Sequence, residues 1–258
     1  MLKLAIFISG RIKNYEHCLL PLIRHLHNRQ KYNIKLFLSI NSSKIDENFV
    51  NIFKNFIAIY KSEKFFYEDS WIKNRLKNNR KFLGHYNQLS CFYNDYKNFQ
   101  NIEKYEKDNN IKFDIICKLR SDLIFKNIND IVFHKDDMNN FIFNNVKLYC
   151  TIRAFGISPP FMSDACVFGN KKSMRHYCNT YNYIKKKDIE YNGTYNLAFE
   201  PYLNESLYDC CLYGVNYFSR NLEDVEPPSP YSKQEFIHIF KNNKFGFIRK
   251  DYDWKYII

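Results

Sequence analysis

The sequence predicts an α/β fold: a central, mostly parallel sheet flanked by helices. Three observations carry this. Short apolar runs alternate with longer segments whose apolar residues recur at helical spacing. The first three segments read strand, helix, strand, the pattern of a βαβ unit. Only seven Gly and seven Pro are spread over 258 residues, so no long flexible linker divides the chain, and residues 1–258 read as one domain. Within it, 1–125 form a first half and 126–258 a second.

Leu2–Ile8 is the first apolar run and ends in Ser9-Gly10, a buried strand leading into a loop. Tyr15–Asn28 follows as a helix, with Cys18, Leu19, Leu22, Ile23 and Leu26 on one face. Ile34–Ser39 is the second strand. A helix near Glu47–Phe56 and a strand near Ile57–Tyr60 come next, while Lys73–Lys81 has the character of a solvated basic segment. His85–Asp108 is a long helix whose apolar stripe is Leu89, Phe92, Tyr93, Tyr96 and Phe99, with Lys and Asn expected on its outer side. Phe113–Leu119 reads as a buried strand, followed by the triplet Arg120-Ser121-Asp122 and the apolar Leu123-Ile124-Phe125. Further strands fit Val146–Cys150 and Ala165–Phe168, helices fit Lys172–Lys185 and Leu197–Tyr213, and Phe236–Ile239 can close the sheet. Asp130 is a candidate helix cap, and Pro227-Pro228-Ser229-Pro230 a rigid turn.

Composition narrows the class. At 45% hydrophobic and 18% aromatic the chain can pack a core, which excludes a disordered or fibrous protein. The formal charge of +12 points to anionic partners. The basic residues are scattered, however, and the richness in Lys, Asn, Ile, Tyr and Phe fits an AT-rich coding bias. Without a clustered basic stripe, nucleic acid is not the expected partner. The eight cysteines include no CxxC pair, so zinc ribbons and thioredoxin-like motifs are excluded, and a reducing compartment fits best. Arg11 and Lys13 interrupt the apolar N-terminus too early for a signal peptide. No later run reaches the ~18 apolar residues of a spanning helix. The expected location is cytoplasmic, with peripheral membrane attachment allowed.

In open α/β sheets ligands bind beyond the carboxyl ends of the strands. Two such ends carry chemistry here, and the fold should bring them to one rim. The first is Ser9-Gly10-Arg11-Ile12-Lys13-Asn14-Tyr15. Gly10 permits close backbone approach, Arg11 and Lys13 supply positive charge, and Tyr15 can stack on a base. The spacing is neither GxGxxG nor a Walker loop, which argues against a Rossmann hydride enzyme and a P-loop NTPase. The second end is Arg120-Ser121-Asp122. Asp122, held rigidly after a buried strand, can reach a Mg²⁺ or Mn²⁺, and Arg120 can neutralise phosphate or orient Asp122. An ordinary strand-end ion pair is the competing reading of the same triplet.

The opening segment Ala5–Glu16 resembles the start of WavE-type lipopolysaccharide-synthesis proteins and related GT-A-like glycosyltransferases. The segment from Tyr86 to Phe125 is similar too, and Ser163–Gly169 resembles the D-x-x-x-F-G strand of these proteins. A fourth match is Glu200 with Leu203 and Leu207, ending at Gly214-Val215. The matches follow the family order over most of the chain.

This resemblance implies a GT-A-like, Rossmann-like fold with R-x-D in the place of the usual DxD, leaving a single acid where two are normal. It also implies transfer of a hexose or pentose from a UDP- or GDP-linked donor to a hydroxyl of a glycan acceptor. Mn²⁺ or Mg²⁺ would sit on Asp122, with His238 as a late metal ligand. Such chemistry needs a carboxylate to take the acceptor's proton if the enzyme inverts. Asp164 is the first candidate and Glu200 the second. A turn-capping role for Asp164, a helix N-terminal acid at Glu200 and a satisfied core imidazole at His238 are the alternatives. Two other functions compete: a different metal-dependent phosphoryl-group enzyme, and a basic nucleic-acid- or phosphate-binding protein without catalysis.

Overall fold

The computed structural model describes residues 1–10, 12–40, 46–62, 70–71, 73–74, 86–125, 148–153, 161–190, 214–216 and 245–247. Strand β1, Lys3–Gly10, lies inside the sheet, and its run Leu4–Ile8 has no exposed surface. Burial on both faces explains why it reads as a continuous apolar run rather than an alternating one. Helix α1 (Leu19–Asn28) leads to β2 (Asn33–Ile40), α2 (Glu47–Phe53) and β3 (Ile57–Ser62). The long α3 (Tyr86–Asp108) leads back to β4 (Ile115–Leu119) and a short β5 (Leu123–Phe125). Then come β6 (Leu148–Arg153), β7 (Phe161–Gly169), α4 (Lys171–Cys178), α5 (Thr180–Glu190), β8 (Gly214–Asn216) and β9 (Phe245–Phe247).

Among the described residues, seven strands form one sheet in the order β3-β2-β1-β4-β7-β6-β8. β3, β2, β1 and β4 pair in parallel, β7 runs against both β4 and β6, and β8 is parallel to β6. The expected α/β class, with a mostly parallel sheet flanked by helices, is what the chain forms. β5 and β9 make a separate antiparallel pair, a use of Phe245–Phe247 that the sequence did not disclose.

Side chains alternate across the sheet and build a core on each side. One face packs Leu4, Ile6, Ile8, Leu36 and Leu38 against Leu19, Leu22, Ile23 and Leu26 of α1 and Phe49 and Phe53 of α2. The other packs Ala5, Phe7, Phe37 and Ile116 against Leu89, Phe92, Phe99 and Ile102 of α3 and Met174, Tyr177, Tyr181 and Ile184 of α4 and α5. Each fully buried large apolar side chain contributes about 1.5–3 kcal/mol.

Several features depart from expectation. α1 starts at Leu19 rather than Tyr15 because Asn14 adopts a left-handed φ of 52°, and the turn closes through Cys18 N–H to Asn14 O at 3.0 Å. Asn tolerates this conformation better than most residues. The single helix expected over Lys172–Lys185 is two. Asn179 turns to ψ 0°, and Thr180 Oγ1 donates to Tyr177 O at 2.6 Å, so local side-chain bonds interrupt the helix. β7 begins at Phe161, which places Asp164 within the strand instead of before it. Not all the asparagines of α3 lie on its outer side: Asn94, Asn98 and Asn101 are buried. The helix expected over Leu197–Tyr213, the strand at Phe236–Ile239 and the cap at Asp130 lie outside the described residues.

Candidate active site at the β1 and β4 rim

From β1 the chain moves outward through α1 to β2 and β3, then returns through α3 to β4 on the other side of β1. The connections therefore diverge between β1 and β4, and a crevice opens at their carboxyl ends. The two chemical segments leave the sheet there, side by side.

At the end of β1, Gly10 has φ +88°, and a Cβ on it would meet only Cys91 Sγ at 3.7 Å. That is ordinary contact, so conformation rather than space calls for glycine. Beyond it, the backbone N–H of Lys13 donates to Ser121 Oγ at 3.0 Å. This bond spans 108 residues of sequence and joins the basic loop to the triplet. Ser121 and Asp122 are buried, at 2% and 8% exposure, and the turn is held by Leu123 N–H to Arg120 O at 3.3 Å.

Arg120 grips Asp122 with two donors. Nε donates to Oδ1 at 2.9 Å and Nη2 to Oδ2 at 2.8 Å, the planar bidentate form of an Arg–carboxylate pair. The structure shows the strand-end ion pair itself, with Arg120 and Asp122 fixing each other's orientation. Beneath the pair, burial and then the Asp122 charge push the Cys18 thiol far up, keeping it protonated.

Tyr15 does not present the open ring expected of it. It is 9% exposed and meets Phe49 and Phe53 edge-on, with centroids at 4.9 and 6.1 Å. Its hydroxyl donates to Asp46 Oδ1 at 3.4 Å and accepts from Asn48 Nδ2 at 3.1 Å. Burial pushes its phenol pKa up. Tyr15 staples the loop to α2, a packing role, and the expectation of base stacking is corrected by that environment.

Ser9, Gly10, Asn14, Arg120, Ser121 and Asp122 are thus gathered at one rim. Asp164 belongs to it by backbone register: β7 pairs Cys166 with Leu119, the last residue of β4, and runs antiparallel. Residues of β7 before Cys166 therefore overhang the carboxyl end of β4. Arg11, Glu200 and His238 lie outside the described residues.

The donors of the triplet decide whether it suits a metal. Asp122 already gives both oxygens to Arg120, and among the described residues no three His, Cys, Asp or Glu side chains converge. The described residues do not fit a divalent cation unless Asp122 releases the guanidinium.

Sequence reasoning missed the polar layer under this rim. On the α3 side the strands change from apolar to polar as they reach it: Phe37 gives way to Ser39, Phe7 to Ser9 and Ile116 to Lys118. α3 answers with Asn94, Asp95 and Asn98. Ser39 Oγ donates to Asn94 Oδ1 at 3.4 Å, and Asn98 Nδ2 donates to Ile8 O at 3.0 Å and Ser9 Oγ at 3.1 Å. Lys118 Nζ donates to Asp95 Oδ2 at 2.7 Å and to Tyr177 Oη at 3.1 Å. The signal available was Lys118 itself, the one charge inside the otherwise apolar strand Ile115–Leu119.

No model of a known protein family matches this sequence, and no curated protein matches it. Solved structures do. A glycosyltransferase involved in the glycosylation of the major capsid of PBCV-1 aligns over 96% of this chain and 95% of its own, at 12% identity and a TM-score of 0.42. The galactosyltransferase LgtC, solved with donor and acceptor sugar analogs, aligns over 95% and 87%, at 9% identity and a TM-score of 0.48. The bifunctional glycosyltransferase WbbM aligns over 96% of this chain but 46% of its own length, at 11% identity and a TM-score of 0.44. Likeness at this level decides neither activity nor residue roles. Among the described residues, no helix is long and apolar enough to cross a membrane.

Proposed function

We propose that the β1–β4 rim is the donor site of a glycosyltransferase that uses a nucleoside-diphosphate sugar. The observation that carries the reading is the Lys13–Ser121 hydrogen bond. It sets a Gly-containing basic loop against a bidentate Arg–Asp pair at the point where α/β sheets take their ligands. The sheet order and the family-like segments of the sequence agree with a GT-A-like arrangement.

On this reading the bond between the anomeric carbon and the β-phosphate oxygen breaks, and an acceptor hydroxyl forms the new bond to that carbon. Negative charge grows on the departing diphosphate. Arg120, fixed in orientation by Asp122, would stabilise it at the rim together with Lys13 and Arg11. The proton of the acceptor hydroxyl needs a carboxylate, for which Asp164 is proposed first and Glu200 second. A divalent cation would require Asp122 to release Arg120; in that alternative state Asp122 and His238 are its proposed ligands, and the cation would supply the charge stabilisation in the guanidinium's place. The acceptor is proposed to be a glycan hydroxyl, and the donor UDP- or GDP-linked.

A thermal-shift screen of UDP- and GDP-sugars, each with and without Mn²⁺, tests the reading. Saturable stabilisation by one of these compounds is expected. No shift with any of them would overturn it. A transfer assay on Asp164→Asn and Glu200→Gln then assigns the base: the base variant loses turnover while retaining donor affinity.

A further inference from the structure

We infer that α3 is the clamp that sets the two loops of the donor site against each other, with Asn98 and Asp95 as its positioning residues. The inference rests on the donor-site reading for its functional consequence and on hydrogen bonds for its geometry. Asn98 has no exposed surface. Its amide spends both hydrogens on the end of β1, at Ile8 O and Ser9 Oγ, immediately before Gly10 turns to φ +88°. Asp95, three residues earlier and hence on the same helix face, holds Lys118 at 2.7 Å, two residues before Arg120. Tyr177 of α4 closes this second contact by accepting from Lys118 Nζ at 3.1 Å. One helix therefore grips β1 just before the basic loop and β4 just before the triplet. The Lys13–Ser121 bond then joins the two loops above it.

The choice of residues is informative. A leucine or alanine at these positions would fill the same layer between α3 and the sheet. Polar groups buried at this depth are costly unless paired, yet Asn98 Oδ1 and Asn94 Nδ2 are buried without a hydrogen-bond partner. What the amide of Asn98 supplies is direction: two donors fix both the carbonyl of Ile8 and the hydroxyl of Ser9. Sites of this kind must hold their groups to within about half an ångström, and a misplacement of about 1 Å can cost a hundredfold in rate.

The test compares Asn98→Ala and the isosteric Asn98→Asp, which fills the space but loses both donors, with Ile102→Val, a core truncation one turn along the same helix. Hydrogen exchange is measured on all three, followed by titration with UDP-glucose, UDP-galactose and GDP-mannose. Both Asn98 variants should exchange about tenfold faster at amides 9–14 and 121–123, with the middle of β1 and β4 unchanged. Both should also bind the donor recognised by wild type at least about tenfold more weakly, while Ile102→Val changes neither. Exchange in the two loops that matches Ile102→Val would overturn the clamp, whatever the nucleotides do. Faster loop exchange with donor affinity unchanged would overturn its positioning role while leaving the donor-site reading intact. If wild type binds none of the three donors although the loops loosen, the donor-site reading fails and the positioning role with it. Asp95→Asn combined with Lys118→Met should loosen residues 120–123 in the same way and leave residues 9–10 tight. Exchange at residues 120–123 that stays at the wild-type rate would overturn the grip on β4.

Discussion

The two faces of the sheet are built on different principles. Toward α1 and α2 the buried strand residues are apolar from one end to the other, from Leu4 and Leu36 to Ile8, Ile40 and Leu119. Toward α3 the same strands begin apolar and finish polar, with Ser39, Ser9 and Lys118 facing Asn94, Asn98 and Asp95. An apolar face needs only the right shape and volume. A buried polar face also needs every direction satisfied, so it is less tolerant and more specific. The difference places tolerance of substitution on one side and the demand for fixed directions on the other.

The largest expected effect breaks the polar face at its charged point. Lys118 and Asp95 are 3% and 1% exposed. Lys118→Met alone should cost about 3–5 kcal/mol in urea unfolding, because it strands a buried carboxylate. Adding Asp95→Leu should recover much of that loss. A single substitution that costs less than ~1 kcal/mol would mean the pair is not held as described. On the apolar face, Leu22→Ala should cost about 2–5 kcal/mol through the cavity it leaves, yet leave donor affinity unchanged. Altered affinity there would erase the contrast between the faces. Gly10→Ala comes next. With room for the methyl group but φ +88°, it should cost about 1–2 kcal/mol, and it should weaken donor binding because the basic loop departs at that residue.

The smallest effect is a pH slope to which His25 on the α1 side contributes, as does His176 of α4, whose pKa burial and then the Lys172 and Arg175 charges also lower. Burial, then the Arg29 charge, lower the pKa of His25, and Gln30 Nε2 lies 3.1 Å from its Nε2, a donor the neutral ring can accept. The unfolded imidazole takes its proton near the ordinary value of ~6.5, the folded one only at lower pH. The stability from neutral His25 is therefore complete above ~6.5 and is lost as pH falls from there through the folded value. His25→Gln should flatten the unfolding curve over that window and leave it unchanged above pH 7. An unchanged slope would remove His25 from the account.

How far the sequence disclosed this follows from the same contrast. The α1 face was legible, because Leu19, Leu22, Ile23 and Leu26 keep helical spacing and Leu2–Ile8 is uniformly apolar. The Gly10 loop and the triplet were legible as strand ends, and their closeness followed from a parallel sheet. The inward turn of Asn94 and Asn98 was not, because asparagine carries no periodic signal of burial and the surrounding Lys and Asn suggested an outer surface. Tyr15 was misread for a related reason: an aromatic in a ligand loop looks the same whether its ring faces solvent or Phe49. The break at Asn179 depends on side-chain bonds that propensity alone does not reveal.

The central claim is that Arg120 and Asp122 act as one unit at a nucleotide-sugar site. Its most direct test is calorimetric titration of the recognised donor into wild type and Asp122→Ala. Loss of both bonds that hold the guanidinium should weaken binding by about tenfold or more. Equal affinity in the two proteins would contradict the account.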